Sequence, residues 1–253
     1  MERLSYGGLK VAGGGPHQSK TMMLNELSTV MAGDKQSDPA DAILRENILG
    51  KPSMRSRQAS LYRLRQLYGI GQPQPICAAL HQLWHQDVAG RPMLAILCAL
   101  ARDPTLRDGA DAVLDASPGE QVQWPTVAAA FEKLHPGRLS ERMAKSLAQN
   151  AASSWTQSGH LSGPVRKRRV RAKPTPTVAA YAALLASLAG FGGAMLLNSK
   201  WLDVLDCSAE DRLSLLRQAE GLGLVRVRAA GDVLEIEVVR RMGETLGVPQ
   251  LVG

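Results

Sequence analysis

The sequence predicts a mainly α protein: an N-terminal helical bundle followed by two smaller α+β units, each made of helices closed by a short hairpin. Three observations lead there. Apolar residues recur at helical spacing over most of the chain, Leu61, Leu64, Leu67 and Tyr68 among them. Alternating patterns are confined to short pieces near residues 121–124, 160–172 and 224–239. The length of 253 residues permits one large domain or two to three small ones, and a 45% hydrophobic fraction excludes wholesale disorder.

Residues 1–37 are rich in glycine (Gly7, Gly8, Gly13, Gly14, Gly15, Gly33) and read as a flexible arm with one short helix over 19–31. Asp38-Pro39 supplies an N-cap and a first-turn proline for a helix to about Leu49, which Gly50 ends. Ser53 caps the next helix, Met54 to Tyr68. After Gln72-Pro73-Gln74-Pro75 come Ile76 to Gln86 and Pro92 to Arg102, so continuous in Ala, Leu and Ile that burial on most sides is expected. Pro104 opens a further helix to about Ala116, which completes a helical domain over 38–116.

Residues 117–173 change character. A short strand at Gln121–Trp124, a helix over Pro125–His135, a helix capped by Ser140 and running to Gln157, and strands near 160–162 and 165–172 joined by Gly163-Pro164 follow one another. That is the order of a winged helix-turn-helix, in which the Ser140–Gln157 helix enters the major groove. Residues 174–240 repeat the order, with helices over 178–188 and 194–204, a third capped by Ser208, and a hairpin around Ala229-Ala230-Gly231-Asp232. Residues 241–253 read as a C-terminal tail.

Charge decides where function is sought. The net charge is +7, from 30 Lys plus Arg against 23 Asp plus Glu, but two long stretches contain no acid. Asn47 to Gln86 carries Lys51, Arg55, Arg57, Arg63 and Arg65; Arg142 to Leu202 carries Arg142, Lys145, Arg166, Lys167, Arg168, Arg169, Arg171, Lys173 and Lys200. An ordinary soluble surface mixes both signs. On the 140–157 helix, Ala144, Leu147, Ala148, Ala151 and Trp155 would face the core, leaving Arg142, Lys145, Ser146, Gln149 and Ser153 outside with Asn150 beside them. Arg, Gln and Asn make bidentate contacts to guanine and adenine edges, and the basic run beyond would meet phosphates. The plainer alternative, a solvated amphipathic helix beside a solvated charge run, stays open. In the last unit Glu210, Asp211 and Glu220 offset Arg212 and Arg217, which points to packing or protein contacts, with Arg226 and Arg228 in reach of phosphate.

Other motifs compete. Val178 to Leu197 lacks charge and follows a cationic run, as a membrane span would, yet its alanines and Gly190, Gly192 and Gly193 fit two short helices better, so no membrane insertion is expected. Gly14-Gly15-Pro16-His17-Gln18-Ser19-Lys20-Thr21 looks like a phosphate loop but lacks the preceding buried strand and a later Asp for magnesium. His81 and His85 are four apart without an evident third metal ligand, and Cys77, Cys98 and Cys207 have no zinc spacing. No Ser/His/Asp or Cys/His set can be named, so no catalytic, cofactor or metal residues are expected. No leader is legible in Met1 to Val11, and a cytoplasmic protein is expected.

Two stretches carry a family resemblance. Glu46-Asn47-Ile48-Leu49-Gly50-Lys51 with Ser53, Arg55 and Arg57 and then Leu61-Tyr62-Arg63-Leu64-Arg65-Gln66-Leu67, and Ser154-Trp155-Thr156-Gln157-Ser158-Gly159-His160-Leu161, resemble the A protein of bacteriophage exclusion (BREX) systems, over residues 5 to 239. The resemblance implies a NusB-like helical domain and a DNA-binding accessory role in phage defence, beside a DNA methyltransferase, an alkaline-phosphatase-like protein and a large ATPase. The expectation is therefore a non-enzymatic protein that binds double-stranded DNA through Arg142, Lys145, Gln149, Asn150, Arg166, Lys167, Arg168, Arg169, Arg171 and Lys173, helped by Arg55, Arg57, Arg63 and Arg65. A scaffold for acidic proteins or RNA is the alternative, and an enzyme using the Gly14–Thr21 loop is the third reading.

Overall fold

The computed structural model describes residues 6–33, 38–231 and 233–252. These residues are mainly helical, with two small antiparallel hairpins. The N-terminal part holds α1 (Leu24–Met31), α2 (Pro39–Leu44), α3 (Met54–Tyr68), α4 (Pro75–Gln86), α5 (Arg91–Arg102), α6 (Pro104–Asp108) and α7 (Asp111–Leu114). Capping explains several of the starts. Asp38 accepts from the Ala40 N–H, Ser53 forms a reciprocal capping box with Ser56, and Asp103 accepts from Thr105 and Leu106. The helix expected to reach Leu49 stops at Leu44, because the Asn47 side chain brackets the backbone of Lys51 and closes a turn instead.

Next come α8 (Trp124–Leu134), α9 (Glu141–Gln157) and the hairpin β1 (Leu161–Ser162) and β2 (Arg168–Arg169). Leu161 pairs with Arg169 and Ser162 with Arg168, while Gln121 forms a single bridge to Arg168 in place of the expected strand. Gly163 makes the turn at φ +98°, and a Cβ there would lie 2.4 Å from the Arg166 carbonyl oxygen.

The last part contains α10 (Pro176–Leu188), α11 (Gly193–Leu197), α12 (Lys200–Asp203), α13 (Ala209–Gly221), the hairpin β3 (Arg226–Ala230) and β4 (Val233–Glu237), and α14 (Val239–Leu246). Every residue of α10 from Thr177 to Ala186 is buried. This helix packs on α4 and α5 on one side and on α12, α13 and α14 on others, so the apolar stretch is the centre of the protein. No single helix among the described residues is long and apolar enough to cross a membrane; α10 and the following segment to Asp203 meet at a 120° bend. One hydrophobic core runs from Leu9 to Leu251.

Both ends differ from expectation. Residues 241–253 were expected as a tail, but α14 and the turn Pro249–Leu251 fold back on α4, burying Met242 and Leu251. Residues 6–33 of the glycine-rich arm are likewise built in, and residues 1–5 and 34–37 of it lie outside the described residues. Arg102 donates to the Gly8 carbonyl (2.6 Å), Arg107 to that of Lys10 (2.8 Å), and the Lys10 N–H to Ala101 (2.9 Å). Guanidinium groups from the bundle satisfy the carbonyls of a segment with little core of its own.

Candidate nucleic-acid interface

The sequence placed the interface on α9 and the hairpin after it. Ser140 caps α9 by accepting from the Met143 N–H, and Leu147, Ala148, Ala151 and Trp155 are buried as their spacing requires. Arg142, Lys145 and Gln149 are exposed along the first half. The Lys145 ammonium lies 5.2 Å from the centre of the Trp124 ring, a cation–π contact that holds the side chain without neutralising it.

The second half of α9 is covered by the arm. The Asn150 amide donates to the His17 carbonyl (3.0 Å), and the Gln157 side-chain oxygen accepts from the Leu24 N–H (3.0 Å). Asn150 is thus withdrawn from base contact: its amide fastens residues 15–24.

The hairpin cations divide as well. Arg166 and Arg168 are exposed, with Arg168 donating to the Gly119 carbonyl at 2.9 Å. Lys167 donates to the Gly163 carbonyl (2.7 Å), and partial burial pushes its ammonium below the ordinary lysine range. Lys173 is exposed. Arg169 corrects the sequence expectation, because it is 2% exposed and its guanidinium meets the Asp206 carboxylate at 2.7 and 3.0 Å. Arg171 is 65% exposed yet also reaches Asp206, at 3.1 Å. Asp206 lies just outside the acid-free stretch in sequence and folds directly onto it.

On α3, Arg55 and Arg65 are exposed, Arg57 donates to the Leu44 carbonyl (3.0 Å), and Arg63 reaches the Ser19 hydroxyl. Arg57 therefore braces α2. The turn Pro16–Gln18 touches both α3 and α9 and links the two basic groups. In the second hairpin Arg226 pairs in register with Glu237 and Arg228 with Glu235, so the phosphate role considered for them meets an acid directly across the strands.

The structure also assembles a set that sequence reasoning missed. His17 Nδ1 lies 2.8 Å from Asp103 Oδ2, and His17 Nε2 lies 2.9 Å from Ser154 Oγ, across sequence separations of 86 and 137 residues. The order is that of a hydrolytic triad. All three side chains are buried, however, and Ser154 Oγ also accepts from the Met22 N–H (2.8 Å) and donates to the Asn150 carbonyl (2.9 Å). An oxygen so occupied has no approach for a substrate, and the network serves as a clasp between arm, α6 and α9. Burial alone would raise the Asp103 carboxyl, but its hydrogen bonds with His17 and that neighbour's charge outweigh burial and leave it below the usual range. The clasp also explains Gly15, where a Cβ would sit 1.9 Å from Asp103 Oδ1. Close packing on a carboxylate accounts for that glycine, and among the described residues no strand precedes the 14–21 segment.

His81 donates from Nε2 to the Tyr68 carbonyl at 2.8 Å, and burial pushes its pKa down. Among the described residues no group of three or more His, Cys, Asp or Glu is placed to hold a metal ion. No family model, curated protein or solved structure matches this chain.

Proposed function

We propose that this chain is a non-enzymatic, double-stranded-DNA-binding accessory protein. The observation that carries the reading is the group of exposed polar and cationic side chains Arg142, Lys145, Gln149, Arg166 and Arg168, with the half-buried Lys167 between the last two, on one helix and its adjoining hairpin. Read as a winged helix-turn-helix, α8 and α9 are the two helices, Gln121 adds the third strand, and the first half of α9 enters the major groove. Arg142 and Gln149 then address base edges, and Arg166, Lys167 and Arg168 address phosphates. Arg55 and Arg65 add charge from α3, while Arg57, Arg169 and Asn150 hold the fold. The resemblance to the BREX A family extends the proposal to phage defence, beside a methyltransferase and a phosphatase-like protein, with the α1–α7 part as its NusB-like bundle.

The test is a salt titration of duplex binding. Five neutralised phosphates give a slope of log affinity on log salt of about −4 to −5, and replacing Arg166, Lys167 and Arg168 by Ala brings it to about −2. An unchanged slope overturns the assignment. Equal competition by RNA or single strands removes the duplex reading.

A second reading, a scaffold for acidic proteins, draws on a separate feature. An apolar cavity of about 410 Å³ opens beside Leu114, Phe191 and Trp201, and its lining includes Lys200 paired with Asp111. An apolar anchor of a partner protein suits such a cavity.

A further inference from the structure

We propose that the cleft between residues 14–19 and α3 binds a nucleoside monophosphate, either free or as an unpaired nucleotide of a strand. The cleft has a volume of about 410 Å³, within the roughly 300–1,000 Å³ range of small-ligand sites. One wall is the glycine-rich turn, from Gly14 to Ser19. The other is a single face of α3, where Ala59, Tyr62, Arg63 and Gln66 follow at helical spacing.

The lining contains one cation, Arg63, and no acid. Arg63 reaches the Ser19 hydroxyl only through long contacts of 3.3 and 3.4 Å from Nη2 and Nε, so its guanidinium is oriented toward the turn without being consumed. A phosphate would make shorter, charge-assisted bonds there. Tyr62 is 62% exposed, and its hydroxyl accepts from the Gln66 amide at 2.7 Å, which fixes a largely exposed ring. Stacking a base on an exposed aromatic ring contributes enough to matter in nucleotide binding. The Gln18 and Gln66 amides supply donors and acceptors for a base edge.

The same lining selects against a nucleoside triphosphate. Three phosphates bring several negative charges and a magnesium ion, and the cleft offers one guanidinium and no carboxylate. The proposal is independent of duplex binding at α9, which uses other side chains.

Calorimetric titration with deoxyadenosine monophosphate tests it. Saturable binding is expected, weakened at least about tenfold for deoxyadenosine and for inorganic phosphate alone. Arg63→Ala and Tyr62→Ala should each weaken it about tenfold while melting like the parent, since Tyr62 is exposed and the half-buried Arg63 makes only long contacts with Ser19. Replacing Arg166, Lys167 and Arg168 by Ala should leave it unchanged even if duplex binding is lost. No binding at about 1 mM monophosphate, equal binding of deoxyadenosine, or indifference to both α3 variants would overturn the proposal. Duplexes with and without a short single-stranded overhang distinguish the source. A preference for the overhang that Arg63→Ala abolishes assigns the site to a strand, and its absence alongside monophosphate binding assigns it to the free nucleotide.

Discussion

Replacing Asp206 by alanine removes the carboxylate that the structure places against Arg169. The arginine is 2% exposed and Asp206 is 6% exposed, so truncation leaves a guanidinium buried without its counter-charge. Breaking such a pair from one side costs about 3–5 kcal/mol. Two further losses add to it. The Ala172 N–H, which donates to Asp206 at 2.8 Å, loses its acceptor, and position 206 has φ +56°, where alanine is less favourable than Asp by about 1 kcal/mol. With about 1–3 kcal/mol for the stranded N–H, a total of about 5–9 kcal/mol is expected in urea unfolding, which corresponds to roughly 10–36 °C in Tm for a chain of this size. Asp206→Asn keeps the left-handed preference and one acceptor, and should lose about half as much. Arg171→Ala, which removes an exposed partner of the same carboxylate, should cost under about 1 kcal/mol. A loss below about 1 kcal/mol for Asp206→Ala, or equal losses for Arg169→Ala and Arg171→Ala, would refute the assignment of Arg169 as an internal brace.

His160 donates to the Val204 carbonyl at 2.8 Å, and burial pushes its pKa down to about 4. The unfolded chain takes up this proton near pH 6.5, so stability falls as pH drops from about 6.5 to about 4, by about 3 kcal/mol, and His160→Gln should flatten that limb in urea titrations at successive pH values. Ser154→Ala strips the Met22 N–H and His17 of a partner and should cost about 1–3 kcal/mol in urea unfolding; a neutral result would mean that the clasp does not hold the arm. Gly15→Ala places a methyl group against Asp103 and should lower stability by about 1–3 kcal/mol, whereas Gly221→Ala, helical and with open space around it, should cost almost nothing. Matching melting curves for the two alanine variants would remove the packing explanation of Gly15.

Much of the secondary structure was legible because its signals are local. Ser53, Ser140 and Ser208 cap the helices they were expected to cap, and the Leu147, Ala151 and Trp155 stripe is buried as its spacing requires. Boundaries moved where a side chain offered the backbone a different partner, as at Asn47. The exposure of the side chains expected at the interface was legible for most of them, Lys173 included. Arg142, Lys145, Gln149, Arg166 and Arg168 are exposed, because hydrophobic periodicity tells which face of a helix turns outward.

By itself the sequence determined a mainly α chain, the direction of its helices and the excess of cations after residue 142. Which of those cations are free was decided only by tertiary structure. Coulomb interaction depends on distance in space, and Asp206, absent from the basic run, folds against Arg169 and Arg171. The fate of the glycine-rich arm was decided in the same way. Its affinity lies in Arg102, Arg107 and Asp103 of the bundle, donors and an acceptor separated from it by long stretches of chain, which turn a segment without a core of its own into a clasped wall of the molecule.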